Sequence, residues 1–104
     1  MQVVLTVETL PPEPLAASAA FHAGRLAGAE RMLAGEGVTA LAIVLQGADT
    51  DHDDWRLALA RDLARSHAPK RVNIVGGGEE TARVETLAYL ADARGITGHY
   101  IPLA

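Results

Sequence analysis

Cysteine is absent, which removes disulfides, thiolate zinc sites, iron–sulfur clusters and a cysteine nucleophile in one step. Serine is nearly so. Ser18 and Ser66 are the only two; both fall inside helical patterns and neither sits in a Gly-x-Ser-x-Gly elbow, so a serine hydrolase is excluded. Basic runs are missing as well. Nine Lys and Arg face 13 Asp and Glu, a formal net charge of −4, and no stretch could neutralise a row of phosphates, which argues against nucleic acid as a partner. Apolar runs are only a few residues long, and Met1–Leu5 has neither a basic leader region nor a long hydrophobic one. The expectation is a cytoplasmic protein with no membrane partner. What remains is 104 residues, 49% hydrophobic and 21% charged, which describes one globular domain burying roughly 65% of its unfolded surface.

Four short β-type runs alternate with three longer helical ones, with no repeat, low-complexity tract or linker between them. Gln2–Val7 is rich in β-branched residues and ends at a proline-rich turn, where Pro11, Pro12 and Pro14 remove backbone donors. Leu15–Ala34 is built of Ala, Leu, Arg, Glu and Met and predicts one long helix, with Gly35 and Gly37 at its end. Ala40–Leu45 is apolar without alternation, the mark of a strand covered on both faces of a parallel sheet. Thr50-Asp51-His52-Asp53 reads as a helix cap with an acidic first turn. The helix it starts runs to about His67 on a stripe of Trp55, Leu59 and Leu63, and Pro69 closes it. Arg71–Val75 is the third strand. A helix over Glu79–Ala93 follows, with Val84, Leu87, Tyr89 and Leu90 as its apolar candidates, and the fourth strand lies within Ile96–Leu103. Short connections in the order βαβαβαβ imply a four-stranded parallel sheet in which sequence neighbours pair.

Three groups of side chains could carry chemistry. Gly76-Gly77-Gly78-Glu79-Glu80-Thr81 joins a strand to a helix, where amides can cradle a phosphate. Neither dinucleotide nor Walker spacing is present and two glutamates follow, so the turn reads as a flexible connection whose acids serve the helix start. Asp49, Asp51, His52, Asp53 and Asp54 are the densest set of metal-ligand types, with Asp49, His52 and Asp53 the candidates. Asp51 and Asp53 diverge on a helix, so cap and dipole complement is the reading preferred. His22, His67 and His99 are scattered and read as surface or helix-end residues. The small residues of Ala16–Gly28 reflect either helix propensity or close approach by another helix.

Arg61–Gly77 (RDLARSHAPKRVNIVGG) and Val84–Leu103 (VETLAYLADARGITGHYIPL) resemble the closing half of a short-chain dehydrogenase/reductase. Arg61, Leu63, Ala64, Arg71, Val72, Asn73, Val75, Gly77, Thr81, Leu90, Ile96, Thr97 and Gly98 follow that family's run in order. Upstream, Ala40–Leu45 resembles the strand that carries the catalytic serine, Phe21–Leu33 the helix before it, and Gln2–Val7 the strand of the Asn-Asn-Ala-Gly motif. The resemblance implies an α/β Rossmann-like sheet in three layers with incomplete helical cover, as one truncated domain over 1–104. It also exposes departures. The βαβ units with the glycine-rich dinucleotide fingerprint have no counterpart, so no cofactor is expected. Thr6-Val7-Glu8-Thr9 occupies the Asn-Asn-Ala-Gly position, Gly47 or Ala48 the serine position, and Asp49 and Asp53 the positions of the catalytic Tyr and Lys. Carboxylates cannot replace a phenol whose acidity an ammonium tunes. Asn73, Gly77 and Thr81 are the cofactor-side residues retained.

The resulting expectation is a non-catalytic module kept for self-association or partner binding. The alternatives are a subunit of a heteromeric complex with a full-length dehydrogenase, and a small nucleotide- or metal-binding enzyme using Gly76–Thr81 and Asp49–Asp54. Three helices must serve two faces of four strands, which leaves apolar face uncovered and predicts a homodimer or higher homo-oligomer. Right-handed crossovers would put every helix on one face; the resemblance implies that the last helix crosses to the other. It also places the interface on the helices at 16–34 and 51–66, with Leu26, Leu33 and Leu57 outside the core stripes. Edge pairing through the first strand around Val4 is the alternative.

Overall fold

The computed structural model describes residues Met1–Ala104. Its strands are β1 (Gln2–Val7), β2 (Ala40–Leu45), β3 (Arg71–Gly77) and β4 (Tyr100–Leu103), all parallel in the order β1-β2-β3-β4. The helices are α1 (Pro14–Gly24), α2 (Leu26–Leu33), α3 (Asp53–Ser66), entered through a tight turn at Thr50–His52, and α4 (Glu80–Asp92). No helix is long and apolar enough to cross a membrane. The pairing of sequence neighbours is as the pattern implied, and the Rossmann-like arrangement is as the resemblance implied.

The long helix expected over Leu15–Ala34 is two. Arg25 leaves the helical region at φ −127° and ψ −25°, directly after Gly24, whose backbone freedom weakens the helix there. Packing explains why the break survives. Ala17 and Phe21 of α1 and Ala29 and Leu33 of α2 are all buried. In a continuous helix at about 100° per residue, Ala17 and Leu33 would lie about 160° apart. Interrupting the helix resets the phase, so both pairs reach one core. Leu33 is accordingly 0% exposed. This corrects its assignment to an oligomer surface, because the side chain is spent on the monomer's own core.

Strand alternation divides the sheet into two faces. Val7, Leu41, Ile43, Leu45, Val72 and Ile74 join Phe21, Leu33, Leu59 and Leu63 in one buried cluster beneath α1, α2 and α3. Ala40, Ala42, Val44, Asn73 and Val75 point the other way, toward α4. There Gln2 Nε2 donates to Leu87 O at 3.0 Å, and Arg71 Nη1 donates to Leu90 O at 2.8 Å and Ala93 O at 3.0 Å. The last helix therefore crosses to the opposite face, as the resemblance implied. Since the sheet is built in one direction, its crossover has the opposite hand to the two before it. Leu90 is the one buried residue of α4. Val84 and Tyr89, expected among its apolar contacts, are 58% and 63% exposed. They lie outside the row of Leu87, Leu90 and Ala93 that faces the strands.

Asn73 fastens the end of the chain. Its Nδ2 donates to Ile96 O at 3.0 Å and its Oδ1 accepts from His99 N at 3.1 Å. Beside it Val72 N donates to Thr97 Oγ1 at 3.0 Å. These bonds set the start of β4 and so the position of Tyr100.

Candidate functional site

All four strands end at the same edge of the sheet, the edge at which open α/β folds receive ligands. The segments that follow β1 and β2 rise there side by side. Gln46 Nε2 reaches Leu10 O at 3.4 Å and ties them together. Between them and the start of α3 lies a cleft of about 250 Å³, lined by Leu10–Pro12, Gln46–Asp49, His52 and Arg56.

Arg56 forms its floor. His52, Arg56, Leu59, Ala60 and Leu63 are buried, and their three-and-four spacing is one face of a helix. The stripe that packs α3 on the sheet thus carries a guanidinium inward, at 1% exposure. Both of its hydrogen bonds leave from Nη1, to Gln46 O at 3.0 Å and to Tyr100 Oη at 3.0 Å. Nε is buried with no partner. The guanidinium carbon lies 5.6 Å from the Trp55 ring centroid and 5.5 Å from that of Tyr100, close enough for both π faces to attract it. No carboxylate approaches: the contacts between basic and acidic side chains within 4.0 Å are His52–Asp51, Arg65–Asp62 and His67–Glu30.

Gly76 makes this arrangement possible. A Cβ there would stand 2.5 Å from Tyr100 Oη and 2.9 Å from Arg56 Nη1, so only a bare backbone fits beneath the pair. His52 supports the wall. Trp55 Nε1 donates to His52 Nδ1 at 3.0 Å. An indole N–H can only donate, so Nδ1 is the bare nitrogen and Nε2 carries the hydrogen that bonds Pro12 O at 2.9 Å.

Both ring nitrogens of His52 are therefore occupied, Asp49 is exposed at the cleft rim and Asp53 is half-buried at the start of α3. No three His, Asp or Glu side chains converge in a group able to hold a metal. Capping needs correction too. The residue before the turn is Asp49 and the one before α3 is His52, and neither side chain makes a cap bond. Asp51 lies within the turn, two residues past the cap position. Asp53 and Asp54 do occupy the first turn of α3, where the helix dipole favours them.

The glycine turn serves the protein's own packing. Gly77 and Gly78 have φ of +72° and +81°; a Cβ on Gly77 would lie 3.1 Å from Gly47 Cα, and one on Gly78 2.7 Å from Leu103 Cβ. Arg83 Nη1 closes the turn by donating to Gly78 O. A cavity of about 450 Å³ opens beside the turn, with Glu8 and Arg83 among the residues that line it, and Thr81 is exposed on α4 without a bond to the turn. Asn73 spends its amide on the β4 approach. Sequence reasoning missed Arg56 and Tyr100, although the stripe through Leu59 and Leu63 already placed an arginine on the core side of its helix.

A family model described as short chain dehydrogenase-like protein matches residues 5–103. No curated protein and no solved structure matches the chain.

Proposed function

From the premise that the chain belongs to the short chain dehydrogenase-like family, we propose that it is a non-catalytic module of that family which associates with a second copy of itself. Gly47, Ala48, Asp49 and Asp53 stand where the resemblance puts a serine, a tyrosine and a lysine, and none can pass a proton as a tuned phenol does. The observation that carries the association is the free edge of β1. It pairs with β2 alone, and Val4 on it is 40% exposed. An edge strand with an apolar side chain is a template for pairing, and a two-fold axis lets one such edge satisfy another. Leu26 and Leu57 are half-buried on the helical side and offer less uncovered surface than Val4.

Light scattering coupled to size exclusion is the test, with calorimetric titration of NADH and NADPH beside it. A dimer and no saturable cofactor heat are expected. Val4→Pro should dissociate the dimer while Leu57→Glu leaves it intact, with circular dichroism verifying that both remain folded. A 10.9 kDa monomer for the unmodified chain would end the self-association reading, and micromolar cofactor binding would end the non-catalytic one.

A further inference from the structure

We propose that the cleft above Arg56 is a binding site for a small monocarboxylate, held by the guanidinium. A buried positive charge is expensive unless something negative meets it. Here the main-chain carbonyl of Gln46, the Tyr100 hydroxyl and two aromatic faces supply partial charge only. No anionic group of the protein lies within 4.0 Å to complete the pairing.

The pattern of bonds says which edge is left. Nη1 is fully committed, and the buried Nε–H has no partner. The Nε–Nη2 edge of an arginine is the one that takes two oxygens of a carboxylate in parallel. Gly76, by lacking a side chain, lets Tyr100 and Arg56 sit where they do, and the Tyr100 and Trp55 rings limit how the fork can turn. The floor is thus preorganised for an anion.

Size and sign narrow the ligand. A cleft of about 250 Å³ falls below the roughly 300–1,000 Å³ of ordinary ligand pockets, which favours a small ligand over a nucleotide. Asp49 at the rim is in the lining and repels a second negative charge, so a single carboxylate on a short carbon chain is favoured over a phosphate dianion. Leu10, Pro11 and Pro12 give that chain an apolar wall.

The test uses the intact protein labelled with ¹⁵N, following the Arg56 Nε–Hε resonance during titration with glycolate, acetate, phosphate and chloride at constant ionic strength. Glycolate or acetate should shift it saturably, with a Kd in the millimolar range. Phosphate should bind more weakly, and chloride should leave the resonance in place. Arg56→Lys, followed through the backbone amides of Gly47 and Asp49 in the cleft lining, should weaken carboxylate binding about tenfold, because an ammonium cannot offer the fork. Asp49 is exposed, so Asp49→Asn retains the fold; it should tighten phosphate more than acetate. No saturable shift in the unmodified protein, an equal response to chloride, or tighter phosphate than carboxylate would each refute the proposal.

Discussion

Gly76 is the residue on which the floor of the cleft depends. Any Cβ must displace a tyrosine ring and a guanidinium that are both hemmed in, so Gly76→Ala is expected to cost about 1–3 kcal/mol. Two of the three atoms it would meet belong to Tyr100, so the cost should shrink when Tyr100 is already alanine. Denaturant midpoints around that double-mutant cycle measure the coupling. Asp51 is the contrasting case. Its neighbours in sequence suggested a cap, yet it bonds no helix amide and its side chain is 65% exposed. Asp51→Ala should therefore melt within about 0.5 kcal/mol of the parent; a loss of about 1 kcal/mol, the value of a real cap, would show that the side chain caps after all. The signal that misled was composition, which places acids near a helix start without saying which backbone amides are free.

Among the elements, strands were the more legible. β1 and β2 coincide with the runs Gln2–Val7 and Ala40–Leu45, because β-branched and uninterrupted apolar residues admit few other placements. The break between α1 and α2 was not legible. Gly24 hinted at weakness, but the reason to break there is the shared core under Phe21 and Leu33, which only the folded sheet defines. Arg56 was legible in principle and was passed over because a charge on a core stripe violates the usual pattern. α4 is held most loosely by apolar contact. Leu90 is its single buried residue, helped by the Gln2 and Arg71 bonds to its carbonyls. Leu90→Ala should cost about 2–5 kcal/mol, and amide exchange along residues 80–92 should rise before that of β2. Uniform loss across both would mean that α4 is no separate unit.

Across the whole molecule, two faces are covered unequally, with α1, α2 and α3 on one and α4 alone on the other. Local periodicity could not foresee this. The generic crossover rule would have put every helix on one face, and only the family resemblance pointed to the crossing. Each strand meets only its neighbours in sequence, so the sheet can be laid down in the order in which the ribosome delivers it. β1 and β2 can zip together once Leu45 is out, and the three-helix side is complete once β3 ends at Gly77. Ala40, Ala42 and Val44 then wait for a helix that ends at Asp92. During that interval the nascent chain shows an apolar sheet to its surroundings. The hazard of sticking through that face is concentrated in the time between two stretches of synthesis.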